Sequence, residues 1–401
     1  TEPGLSVSFN HSMKTPLRRG FCFWVGMSAN NCHNMTPAFT GSHTAMIKSL
    51  YIDNYRSVRK LSIDLGRLNV VFGPNGCGKS NIYKAIHLIH GAAMGQLSHW
   101  LSDEGGIQKV MWAGSRAKGY ASAPRRMTLA VDTDDFEYEL QVGFPDKLPY
   151  PTMFDLDPIV KEEQIWLSGF RRRPSSSIMH RRNQAVFLND VNGEKVTHAA
   201  TLYENESLFG QLGEPHLYPE VSSARETLRN WRFYHEFDIT KGAGLRLPQV
   251  GYRSPVLAGD GLNLAAAFQT IVEIGDSELL FEVLDEAFPE CTFFCDNSNG
   301  RFQMMMHRQG INRPLESAEF SDGTLRFLCL TVALLSPRPP RFIALNEPEN
   351  SLHPQMLPAL ARLIAEASRY TQIWLTSHSP ELATLIEKHT PFTLYQLGIE
   401  N

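Results

Sequence analysis

The chain has 401 residues, 42% hydrophobic and 20% charged, an ordinary globular composition with ample apolar material for a core. Its formal net charge is -4 with a pI near 6.4, so the molecule as a whole is no basic nucleic-acid binder, and any DNA contact must be local. No apolar run approaches the ~20 residues of a membrane helix, and the stretch 20–26 is too short for a secretory segment, so no membrane role is expected. Six cysteines are scattered. Cys291 and Cys295 sit four apart, but no second pair completes a zinc set, which leaves reduced thiols in a cytoplasmic protein.

Residues 1–45 are polar, carry Gly and Pro, and hold neither period for long, so they read as a flexible extension. From Met46 the pattern predicts strands over 46–53, 59–65 and 68–72, then a helix over 79–92. Alternation over 126–142, 185–188 and 195–202 predicts a β-rich lobe, and 220–288 reads as rich in helix. A hairpin is expected over 291–307, turning at Asn297–Gly300. A helix (322–335), strand (341–345), helix (354–368), strand (372–376), helix (379–388) and strand (391–397) complete the chain. Apolar strands alternating with helices at both ends imply a central parallel sheet, with an inserted helical lobe at about 212–335. No repeat or heptad run is present.

The segment Gly73-Pro74-Asn75-Gly76-Cys77-Gly78-Lys79-Ser80 fits G-x-x-x-x-G-K-[ST] in full, between an apolar strand and a helix. The glycines let backbone N–H groups turn inward around a β-phosphate, and the helix N-terminus adds partial positive charge. Lys79 can reach the β- and γ-phosphates, and the Ser80 hydroxyl can bind Mg²⁺. Two later strands end in polar residues. Phe342-Ile-Ala-Leu is followed by Asn346-Glu347-Pro348-Glu349, where Glu347 is suited to orient or deprotonate a water. Ile373-Trp-Leu-Thr376 is followed by Ser377-His378, where the imidazole can sense a γ-phosphate.

These residues resemble the ABC-type ATPase superfamily, and most closely the RecF/SMC-like bacterial ATPases related to the OLD ATPase domain. Phe320-Ser321-Asp322-Gly323-Thr324 resembles the ABC signature at Ser321 and Gly323, and Ser351-Leu352-His353 resembles the D-loop. Asn54-Tyr55-Arg56-Ser57 resembles the first-strand motif whose Arg and Ser lie near the nucleotide, with Asn81 completing the loop's exit. Gln211 stands between the β-rich segment and the helical lobe, where a Q-loop belongs. The resemblance covers about 46–400. It implies an α/β P-loop NTPase fold, an ABC-type ATPase head with a β-rich lobe and an inserted helical lobe. It implies ATP and Mg²⁺ as cofactors, with Ser80, Gln211 and Asn346 at the metal. It also implies an ATP-dependent homodimer, closed by Ser321 and Gly323 of a second copy. Expected work is a switched clamp or sensor in DNA maintenance or antiphage defence, with any nuclease or other effector on a separate chain. A nucleotide-binding regulator with negligible turnover and a transporter's ATPase subunit remain open.

Two positions depart from the pattern. Asn346 stands where an acid usually precedes the catalytic Glu. A charge 4 Å from a divalent ion is worth up to about 8 kcal/mol at an effective dielectric of 20, so slow hydrolysis with intact binding is expected. Asp322 replaces a signature Gly and either places charge near the γ-phosphate or accepts from the helix start. The basic run 171–182 reads equally as a phosphate contact or as solvated loop charge. Trp231-Arg-Phe-Tyr234 reads as core packing on a helix, and Asp260-Gly-Leu-Asn263 as a cap and turn.

Overall fold

The computed structural model describes residues 5–9 and 46–399, apart from 75, 113, 115–125, 146–151, 155, 174 and 199–200. The chain begins with β1 (Leu5–Phe9), β2 (Ile47–Tyr55), β3 (Val58–Asp64), β4 (Leu68–Phe72), α1 (Lys79–Met94), α2 (Leu97–Asp103) and α3 (Ile107–Val110). A β-rich run follows: β5 (Arg126–Thr133), β6 (Phe136–Gly143), β7 (Ile159–Leu167), β8 (Ser177–Arg182), β9 (Ala185–Asn189) and β10 (Lys195–Thr197). The middle holds α4 (Leu208–Gln211), α5 (Pro219–Arg229), β11 (Arg232–Tyr234), β12 (Gln249–Val250), α6 (Leu264–Ile274), α7 (Ser277–Ala287), β13 (Cys291–Ser298), β14 (Arg301–Arg308) and β15 (Leu315–Glu316). It closes with α8 (Asp322–Leu334), β16 (Phe342–Asn346), α9 (Leu357–Ala367), β17 (Gln372–Ser377), α10 (Pro380–Glu387) and β18 (Thr393–Ile399).

The central sheet has the order β1-β18-β4-β17-β16-β11, parallel except for β1. Its inner strands β4, β16 and β17 are buried at nearly every position and mostly apolar, because both faces are covered. Alternate residues serve different cores. Val71, Phe342, Ala344 and Trp374 pack with α1 and the β-rich lobe. Leu68, Val70, Ile343, Leu345, Ile373 and Leu375 pack with the helices α6 to α9. This is a doubly covered α/β arrangement of the P-loop NTPase kind. The β-rich lobe is an eight-stranded antiparallel sheet, β10-β9-β8-β7-β6-β5-β2-β3.

Several expectations need correction. Within the stretch read as a flexible extension, Leu5–Phe9 pairs antiparallel with β18, Leu5 opposite Ile399. Its Leu-Ser-Val-Ser-Phe alternation is short but strand-like. The inserted lobe carries the expected hairpin as β13 and β14, and β12 and β15 extend it into an antiparallel sheet that was not expected. Residues 231–234 are not helical either. Arg232–Tyr234 pairs parallel with β16, because alternation of large rings lets Tyr234 be buried at 3% exposure on one face. The basic run is part loop and part strand, since Ser177–Arg182 is β8. Arg181 is wholly buried there, donating to the carbonyls of Asn183, Glu206 and Tyr203 at 2.9, 2.6 and 3.0 Å. A guanidinium spent on backbone cannot hold a phosphate.

Candidate functional site

The loop after β4 folds tightly for reasons visible residue by residue. Gly76 and Gly78 take φ of 82° and 97°, values that side chains resist. A Cβ at Gly73 would come within 2.7 Å of both the Cys77 sulfur and the Leu397 carbonyl. Gly78 is the N-cap of α1, so the helix's first N–H groups open onto the loop. Lys79 is 4% exposed, and its Nζ donates to the Gly73 and Pro74 carbonyls at 2.5 and 3.1 Å, curling back over the loop. Ser80 is exposed on the first turn of α1. Asn75 lies outside the described residues. A cradle of N–H groups with a buried ammonium fits a triphosphate.

The sheet brings the other strand ends to this loop. Phe72 lies opposite Ser377, and Thr376 lies opposite Asn346. Parallel neighbours are about 4.8 Å apart, so Gly73 and Glu347 lie about two strand spacings apart, at the same edge. Glu347 turns there with φ of 47°, its N–H donating to the Thr376 carbonyl at 2.9 Å. One carboxylate oxygen accepts from Asn350 at 2.8 Å and lies 3.9 Å from His378 Nδ1. His378 is exposed and also lies 3.6 Å from Glu349. Glu349 accepts from the Ser377 hydroxyl at 2.6 Å and from the His378 N–H at 3.0 Å, which fixes the turn carrying that imidazole.

Asn346 is 8% exposed and already engaged. Its Oδ1 accepts from Thr376 at 2.6 Å, and its Nδ2 donates to His235 Nδ1 at 2.7 Å. Burial lowers the His235 pKa below the usual imidazole value. His235 follows β11, the strand beside β16, so topology delivers it to the site. Sequence reasoning missed it, since a three-residue strand offers no period to read.

The remaining expected residues divide. Ser57 and Asn81 meet, with Asn81 Nδ2 donating to the Ser57 hydroxyl at 2.7 Å, tying the β2–β3 turn to the start of α1. Arg56 sits in that turn, but its guanidinium is held by the Glu104 carboxylate, which also pairs with Lys84. Gln211 is not brought to the loop. Its amide nitrogen donates to the Tyr203, Glu206 and Ser207 carbonyls, and its oxygen accepts from the Tyr203 N–H. Its neighbour Gly210 packs on Gly95, just past the far end of the 16-residue α1 and roughly 24 Å from Lys79 along the axis. Gln211 therefore braces its own loop, and its expected place at a metal is corrected.

Ser321 caps α8, accepting from the Thr324 N–H at 3.1 Å, and is exposed. Asp322 does not cap. It pairs with buried Arg246 at 2.5 Å, and Arg246 also donates to the Phe320 carbonyl at 2.8 Å. The charge that departs from the signature pattern is thus neutralised inside the chain. Gly323 faces the turn after β16: a Cβ there would stand 2.8 Å from the Ser351 carbonyl, where Ser351 has φ of 64°. Gly323→Ala should therefore lower stability by about 1–2 kcal/mol, overpacking outweighing the ~1 kcal/mol helix preference of Ala over Gly. A thermal melt checks this, and a raised midpoint would show that the turn yields freely.

Donors for a divalent cation are fewer. Among the described residues, no three or more His, Cys, Asp or Glu are grouped to hold a metal ion. Ser80 and the Asn346 side chain are neutral, so a Mg²⁺ ion would depend chiefly on phosphate oxygens. No helix among the described residues is long and apolar enough to cross a membrane.

The chain is 41% identical over 46 residues to an OLD nuclease of Thermus scotoductus (strain ATCC 700910 / SA-01), a match spanning 12% of this chain and only 9% of that protein. Among solved structures, the SmcHead bound to the C-winged helix domain of ScpA aligns with a TM-score of 0.48 at 15% identity, covering 89% of this chain and 98% of that one. The SMC head domain from Thermotoga maritima aligns at 0.39 and 13%, covering 89% and 99%. The family model described as "AAA domain, putative AbiEii toxin, Type IV TA system" matches residues 68–384, from the strand before the phosphate loop through most of α10. That match covers well over half of the sequence, and the chain belongs to this AAA-domain family.

Proposed function

We propose that the chain binds ATP on residues 73–80, hydrolyses it slowly, and uses it to bring two copies together as a clamp or sensor. One observation carries this reading: β4, β17 and β16 are parallel neighbours whose ends set the Lys79 loop, His378 and Glu347 along one edge. Lys79 holds the β- and γ-phosphates, and the N-terminus of α1 faces them. Glu347 orients the attacking water, with Asn350 fixing its carboxylate. His378, set by Glu349, reads the γ-phosphate. Mg²⁺ bound to Ser80 and the phosphates supplies charge neutralisation. Ser321 and Gly323 of a second copy close the open side.

A role in defence draws its support from the family's description as a putative AbiEii toxin of a Type IV TA system. Local DNA contact would fall to the exposed Arg171 and Arg173, since Arg172 pairs with Glu137 and Arg181 is buried. A second reading, a regulator with negligible turnover, draws support from Asn346, whose amide is neutral and already shared with Thr376 and His235.

Steady-state phosphate release across a Mg²⁺ series separates these readings. Glu347→Gln should lower turnover at least ~100-fold while ATP affinity holds. Asn346→Asp should lower the Mg²⁺ concentration needed for half-maximal rate. Full activity in Glu347→Gln removes it from the catalytic role. Absence of any Mg²⁺-dependent release in the unmodified protein favours the regulator.

A further inference from the structure

We infer that the cavity between α1, α2, α5 and β11 is a second small-molecule site, suited to a purine ring carrying an anionic group, such as a nucleoside monophosphate. Its volume is about 500 Å³, within the range of small-molecule pockets and larger than a close-packed interior leaves open. One wall is a fixed ring stack. Trp100 lies on His87 with centroids 3.8 Å apart and planes 14° from parallel. Gly91 makes room for it, because a Cβ there would stand 2.3 Å from the indole. Phe233 closes on the same rings, 4.7 Å from His87 and 5.2 Å from His90. A platform already ordered loses little rotamer freedom when another ring meets it.

The polar groups around this wall fit the same ligand. Burial pushes the His87 and His90 pKa values down to about 3 and about 4, so both imidazoles are neutral. His90 Nδ1 donates to the Leu228 carbonyl at 2.7 Å, which leaves Nε2 an acceptor for a ring amino group. Arg229 and Arg232 also line the cavity. Arg229 shares its charge with Glu226 at 3.2 Å. Arg232 donates only to the Arg229 and Trp231 carbonyls among the described residues, at 3.0 and 2.9 Å, so its charge stands without a carboxylate. Aromatic stacking beside such a cation is the pairing that holds a base with its phosphate. The site is distinct from the phosphate loop. It flanks α1 from His87 to Met94, about 12–22 Å along the axis from Lys79, whereas the loop occupies the helix's N-terminal end.

Calorimetric titration of AMP, GMP, CMP and UMP into a Lys79→Ala variant tests this with the phosphate loop disabled. At least one purine monophosphate should bind at one per chain, more tightly than the pyrimidines and at least tenfold more tightly than inorganic phosphate. Adding Arg232→Glu should weaken it at least tenfold. Arg229→Glu, at an exposed position, should weaken it too, and serves if Arg232→Glu melts abnormally. No binding of any monophosphate at millimolar concentration, or affinity left unweakened by both charge reversals, would overturn the assignment.

Discussion

Lys79→Ala should bind no ATP at concentrations that saturate the unmodified protein, while keeping its fold. A unit charge 4 Å from a phosphate is worth about 4 kcal/mol at an effective dielectric of 20, roughly three orders of magnitude in affinity. Lys79 is 4% exposed, so solvent screens it little. The structural loss is smaller. Nζ bridges two loop carbonyls, and charged hydrogen bonds contribute about 1.5–3 kcal/mol each at most, against a total stability of about 5–15 kcal/mol. Titration with a fluorescent ATP analogue, alongside a thermal melt, separates these effects. Undiminished affinity in a folded variant would remove the loop from nucleotide binding.

Ser321→Arg should abolish ATP-driven pairing of two copies and leave the monomer's ATP affinity nearly unchanged. Ser321 is exposed at the N-terminus of α8, the end of a helix that favours anions. Losing its cap on Thr324 costs about 1 kcal/mol, which the fold tolerates. Bulk and length, rather than the lost cap, should block closure. Ser321→Ala shares the lost cap without the bulk, so it should retain part of the pairing. The dimer constant measured for both variants decides the matter. Equal loss in both would assign the effect to the helix start instead.

The parts of this molecule written in contiguous residues were legible before the fold. Gly76 and Gly78 supply the turn after β4 by themselves, and residues 342–349 carry their own strand and turn, so both local shapes could be read from the sequence. Residues whose role depends on distant partners were not. Gln211 has the right type and place in order, but its neighbour Gly210 packs on Gly95, at the wrong end of α1. His235 reaches Asn346 only because β11 pairs with β16 across more than a hundred residues of chain. Arg181 looked like surface charge because nothing local reveals that its guanidinium is sealed under the 203–206 loop. Asp322 read as a helix cap or a stray charge, since its partner Arg246 lies 76 residues earlier.

Sedimentation of Glu347→Gln with and without ATP and Mg²⁺ tests the central claim most directly. Slowed turnover should hold the nucleotide in place, and each site should then stay closed by the other copy. Closing two equivalent sites demands two-fold symmetry, the commonest in oligomers. We predict a particle of 45.2 kDa without ATP and of twice that mass with it. A variant that binds ATP yet remains a monomer at high protein concentration would contradict the clamp.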